Sequence, residues 1–221
     1  MNMEQRAGRI VAVLFFAQMT GSFVLNFRLE APLFGAPGFL VNAAPNANQI
    51  GAAALFGLAL GCLFTAVAIT VFPIVHVRSQ ALALWLLVLG AVGLVLAVVE
   101  SASVMSMVSL SHAYAAAPAG ARDQFQALRG VVAATRNWAH YFARLLDGTT
   151  LLVFYLTLLR CTLVPRALAV AGLLAALLQI TGIGVVFFGY DVIFPLLAPM
   201  GLAQLALCGW LLTKGFARLT K

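Results

Sequence analysis

Six long apolar runs, separated by short polar or turn-rich connections, constrain this chain more than any other feature of its sequence. A helix crossing about 30 Å of hydrocarbon needs about 20 residues at 1.5 Å rise. Runs of that order lie at about 10–26, 50–75, 81–108, 138–159, 167–188 and 192–212. Of the 221 residues 63% are hydrophobic and only 9% charged, against roughly 25% charged in soluble domains. The remaining polar surface cannot cover so many apolar runs, so lipid must. The expected fold is all-α: a polytopic membrane protein, a bundle of about six transmembrane helices forming one transmembrane domain over residues 1–221 with no soluble appendage.

The first run follows Arg6 and Arg9 as a secretory leader would, but it is longer than the usual apolar core of about 7–15 residues. Asn26, Phe27, Arg28 and Leu29 follow it where a small-residue cleavage site would be needed, so it reads as a retained anchor. Internal Pro and Gly do not veto helix in a bilayer, where neighbouring helices satisfy the freed backbone groups. Pro195 and Pro199 are expected to kink the last helix.

The net charge of +7 does not indicate nucleic acid, because the basic residues stand singly at the ends of apolar runs instead of forming a patch. They act as topology signals. With the N-terminus inside, the cytoplasmic set is Arg6, Arg9, Arg78, Arg160, Arg166, Lys214, Arg218 and Lys221, about eight against about four outside (Arg28, Arg122, Arg129 and Arg136). The expectation is a multi-pass protein of the cell inner membrane with both termini cytoplasmic. Short inner turns at His76 to Gln80 and Arg160 to Arg166 then pair spans two with three and four with five.

The outer side carries two long connections, residues 28–49 and 109–137. Ala31-Pro32, Ala36-Pro37-Gly38 and Ala44-Pro45-Asn46 predict turns in the first. In the second, a break at Pro118 and Gly120 precedes a stretch with Phe125, Leu128 and Val132 on one face and Arg122, Arg129 and Arg136 on another, an interfacial helix leading into span four. Cys62, Cys161 and Cys208 are odd in number and widely spaced, so neither a disulfide framework nor a structural zinc site is expected.

Ionisable groups inside a bilayer cost roughly 2.5–3.5 kcal/mol each at a helix centre, which makes those that remain the best functional pointers. Glu100 falls roughly 28 Å along span three from Ala81, and Arg144 and Asp147 fall about 9 Å and 14 Å along span four from Trp138. Arg136, His140, Arg144 and Asp147 follow one another at steps of four, four and three, which aligns them on one helix face. Two accounts fit that face. In one, Arg144 and Asp147 neutralise each other, Arg136 snorkels to lipid phosphate and His140 is an interfacial histidine. In the other, Glu100, His112, Asn137, His140, Arg144 and Asp147 contribute to an outward-facing polar ligand pocket. No HExxH or paired-histidine spacing marks a metal site, and no GxSxG, P-loop or dinucleotide fingerprint is present, so neither metal nor cofactor is expected.

The C-terminal half reads Arg136-Asn137-Trp138-Ala139-His140-Tyr141, Leu163-Val164-Pro165-Arg166, Pro199-Met200-Gly201-Leu202-Ala203-Gln204 and Trp210-Leu211-Leu212-Thr213-Lys214-Gly215-Phe216, with Phe72-Pro73 closing span two. In these segments the chain resembles a bacterial membrane family catalogued as domain of unknown function 4386. The resemblance implies a six-helix prokaryotic membrane protein and carries over no catalytic residue. The partners expected are the lipid bilayer and a small lipophilic or anionic ligand, bound or transported, with no nucleic acid. Two other classes stay open: a membrane-embedded hydrolase with a polar or metal site in the outer half, and a structural or accessory membrane subunit.

Overall fold

A computed structural model describes residues 2–217; Arg218 and Lys221, counted above as topology signals, lie outside the described residues. Every regular element among the described residues is helical. The main helices are α1 (Met3–Val24), α4 (Ala47–His76), α5 (Gln80–Ala116), α6 (Arg122–Arg160), α7 (Arg166–Gly184) and α8 (Ala198–Thr213), and two single turns, α2 (Ala31–Phe34) and α3 (Phe39–Asn42), fill the connection after α1. A π-helical turn, Leu25–Leu29, prolongs α1, and among the described residues six segments are long and apolar enough to cross a membrane. Large side chains such as Leu55, Ile69, Trp85 and Leu202 stand exposed on them, as expected where lipid is the solvent.

Two of these helices run well past the apolar stretches that announce them. The 37 residues of α5 and the 39 of α6 correspond to about 55 Å and 58 Å of helix, against about 30 Å of hydrocarbon. The connection expected at 109–137 is therefore mostly helix, interrupted only around Pro118, and the amphipathic stretch is the first third of α6 instead of a separate interfacial helix. Hydropathy falls before helical propensity does. Ser106 and Ser109 donate their hydroxyls to the carbonyls of Ala102 and Met105 four residues back, so polar side chains enter the helix without breaking it.

The prolines near the C-terminal end also differ from expectation. Pro195 lies in a short 3₁₀ turn, Phe194–Leu196, and Pro199 lies in the first turn of α8. There its missing N–H has no intrahelical partner to lose, so it starts the helix and does not kink it.

The chain divides into two compact units. One comprises Met1–Gln18, Cys62–Gly93 and Arg144–Lys221. Its core is built around Phe15, which meets Phe64 and Phe154 edge-to-face at 6.0 and 5.2 Å between ring centroids. Tyr155 is fully buried beside Gly172, where any Cβ would collide with its ring. All three cysteines are free; Cys161 and Cys208 are buried, whereas Cys62, in the middle of α4, is exposed on the helix surface.

The other unit comprises Met19–Gly61 and Leu94–Ala143. Its core joins Leu33, Phe39, Leu40, Ala43 and Ile50 to Val104, Met107 and Val108 of α5. The connection at 28–49 is thereby folded, not a string of turns. Ser111 of α5 fastens it twice, donating to the Leu40 carbonyl at 2.8 Å and accepting from the Ala44 N–H at 2.8 Å. Gln49 donates to the carbonyls of Arg28 and Leu29, which end the π-turn without helical partners. Between α2 and α3 the chain reverses at Gly38, whose φ of 113° suits glycine alone, and the Arg129 guanidinium lies against the space a side chain would take.

Candidate functional site

The second unit gathers four ionisable side chains from three separated stretches. Glu30 stands at the bend where the π-turn hands over to α2, with φ −89° and ψ −1°. Glu100 comes from α5, and Arg136 and His140 from α6, one helical turn apart. The Arg136 Nη2 donates to Glu30 Oε2 at 2.7 Å and lies 3.8 Å from Glu100 Oε1. His140 Nδ1 meets that same Glu100 oxygen at 2.7 Å.

Burial sets these groups apart from ordinary surface charges. Only 6% of the side-chain surface is exposed in both Glu30 and Arg136, 16% in Glu100 and 24% in His140. The Arg136 guanidinium also lies 4.8 Å over the Phe34 ring, whose π face favours a cation. Its Nε is buried and has no hydrogen-bond partner among the described residues. An Arg carries five donors and cannot lose its charge in a protein, so a buried idle donor is a standing cost.

Of the residues expected to line a pocket, Glu100 and His140 meet in this cluster. His112 and Asn137 are exposed on their helices. Arg144 and Asp147 belong to the other unit, where they form an i,i+3 ion pair of 3.1 Å with about a third of each side chain exposed. Arg136 does not snorkel; it is buried, because Glu30 supplies a carboxylate inside the fold and makes the interior acceptable for its charge. Glu30 is the member that sequence reasoning missed. Its signal was a lone carboxylate, directly after an apolar run, in a connection otherwise composed mainly of apolar residues, Gly, Pro and Asn.

The serines behave as packing residues. Ser103 donates within its own helix to the Val99 carbonyl, and Ser101 reaches across to the Ala54 carbonyl at 3.0 Å. Among the described residues no three His, Cys, Asp or Glu side chains are grouped so as to hold a metal ion.

Comparison with known proteins adds one relationship. A family model described as a domain of unknown function, DUF4386, matches residues 8–215. This chain belongs to that family. The DUF4386 match covers most of the first membrane-crossing segment found among the described residues and the whole of the five that follow, and takes in Glu30, Glu100, Arg136 and His140. No curated protein and no solved structure matches the chain.

Proposed function

We propose that this DUF4386 protein is a bacterial inner-membrane protein with both termini in the cytoplasm, which binds or carries a small lipophilic molecule bearing an anionic or other acceptor oxygen. The orientation rests on the excess of Lys and Arg in the connections assigned to the cytoplasm. The binding reading rests on one observation above all. The Arg136 side chain, 6% exposed among helices fit to lie in lipid, keeps its Nε without a hydrogen-bond partner among the described residues.

A ligand with an apolar body and an acceptor head suits such a donor, since the surrounding helix surfaces are apolar and the Nε–H can be satisfied only by an acceptor. Arg144 is less suited to the task because Asp147 engages it within the same helix. His140, held by Glu100, can donate a further hydrogen bond or a proton to the ligand head.

The test uses the full chain in detergent micelles, with decanoate, decyl phosphate and decanol as probes and melting temperature as the readout. Decanoate or decyl phosphate should raise the melting temperature of the wild type, and Arg136→Gln should lose that shift whatever its own starting stability. Equal shifts in both proteins, or none with any probe, would overturn the binding reading.

A further inference from the structure

Basic residues that stand singly along the sequence are brought to one end of the unit containing α7 and α8. The Phe216 N–H donates to the Glu4 carbonyl at 3.4 Å, and the Ala217 N–H donates to the Leu163 carbonyl at 2.8 Å. Gly8 lies directly against the backbone of Gly215 and Phe216. The start of α1, the turn between α6 and α7 and the segment after α8 thereby form one contiguous surface. Arg6, Arg160, Arg166 and Lys214 are exposed on it.

The turn between α4 and α5 joins the same end. Val75 and Ala83, on either side of it, share one buried core with Cys161, Leu163 and Phe216. Arg78 occupies this turn, between two membrane-crossing segments and so at the level of lipid headgroups. Its Nη1 is shielded from solvent and has no hydrogen-bond partner among the described residues. The positive charge of Arg78 acts on the Cys161 thiol, which puts the guanidinium on the side of the α6–α7 turn. Burial nevertheless raises that thiol above its ordinary range, so it stays protonated and supplies no counter-charge.

Carboxylates are concentrated elsewhere. Glu30, Glu100 and Asp123 belong to the other unit, Asp147 engages Arg144 within α6, and Asp191 follows α7 at the end away from Arg166. Glu4, in the first turn of α1, is the acidic residue at this end among the described residues. A shielded guanidinium donor in such surroundings calls for an anionic acceptor, and the planar guanidinium matches the oxygens of a phosphate. Val77 beside Arg78, and Leu84 and Trp85 in the first turns of α5, are apolar and exposed, a surface along which acyl chains can lie.

We infer that Arg78 is the seat of a phosphate-binding site at this basic end, which takes the headgroup phosphate of an anionic phospholipid. The phosphate reaches the shielded Nη1, and the exposed Arg and Lys side chains nearby attract the negatively charged headgroup from a distance. This site lies in a different unit from Arg136 and stands independently of the ligand reading there.

The experiment measures the melting temperature of the purified full chain in a neutral detergent, with dioleoylphosphatidylglycerol, dioleoylphosphatidylcholine or inorganic phosphate added. Phosphatidylglycerol should raise the melting temperature of the wild type and of Arg136→Gln, and Arg78→Gln should lose that shift. Phosphatidylcholine, whose choline offsets its phosphate, should give a smaller shift. Should Arg78→Gln fail to fold, Arg78→Lys serves in its place: it keeps the charge but loses the fork of donors, and its shift should fall below that of the wild type. Equal phosphatidylglycerol shifts in the wild type and the Arg78 variant, or a phosphatidylcholine shift as large as that of phosphatidylglycerol, overturn the site. An Arg78-dependent shift reproduced in full by inorganic phosphate would make the site one for free phosphate and overturn the lipid assignment.

Discussion

Arg136 and Glu30, 106 residues apart in sequence, are joined Nη2 to Oε2 at 2.7 Å, with 6% of each side chain exposed. Breaking such a pair from one side leaves a buried charge without its partner, whereas removing both partners leaves little behind. The first prediction follows from that asymmetry. Arg136→Met should destabilise the protein in detergent by about 3–5 kcal/mol, since Glu30 and Glu100 then face each other. Combining it with Glu30→Gln should recover a large part of the loss. Strict additivity of the two changes in a double-mutant cycle would show that the pair is not coupled.

The second prediction concerns pH. Burial raises the folded-state pKa of Glu30 above its ordinary value of 4.5, so the folded protein holds this proton more tightly than the unfolded chain. Its contribution to stability is complete below the ordinary value and is lost as pH rises through the raised folded value. Glu30→Gln should therefore show a weaker fall in melting temperature with rising pH than the wild type. A steeper fall in the variant would reverse the sign and contradict a raised carboxyl.

In the other unit, Tyr155 is fully buried and its hydroxyl has no hydrogen-bond partner among the described residues, while its ring fills the space beside Gly172. Tyr155→Phe removes an unsatisfied buried group and should raise stability by on the order of 1 kcal/mol. Gly172→Ala should do the opposite, because the new Cβ cannot coexist with the ring. Thermal unfolding of the two variants checks both signs. Loss of stability in Tyr155→Phe would mean that the hydroxyl has a partner.

Arg144 and Asp147, at 3.1 Å on one face of α6, form a local pair. Arg144→Ala and Asp147→Ala should each lower the melting temperature, with the double variant close to wild type. Two harmless single variants would show that each charge is solvated independently.

Orientation is tested by reporter fusions. Fusions near Ser79 and at Lys221 should report the cytoplasm, and a fusion near Gly120 the opposite side. An external signal at Lys221 would exclude six spans with both ends inside.

Fold class was legible in the sequence because it depends on quantities local to each segment. An apolar run of sufficient length must be helical in lipid to satisfy its own backbone, so each of the six runs located a helix without reference to any other. The helix ends were less legible. The helices α5 and α6 continue to Ala116 and start at Arg122, because a run of falling hydropathy can stay helical until Pro118 interrupts it. The i,i+4 relation of Arg136 and His140 and the i,i+3 relation of Arg144 and Asp147 were also plain, since helical spacing alone decides them.

Only the tertiary structure decided which charges meet. Glu30 reaches Arg136 because α2, α3 and Ser111 fold the 28–49 connection back onto α5, a placement with no periodic signature in sequence. With that carboxylate in reach, Arg136 is stable inside the fold, whereas helix position by itself placed it at the lipid headgroups. Backbone satisfaction is a local requirement and can be read along the chain, but neutralising a buried charge requires a partner from elsewhere, and the packing of the connections determines which residue that is.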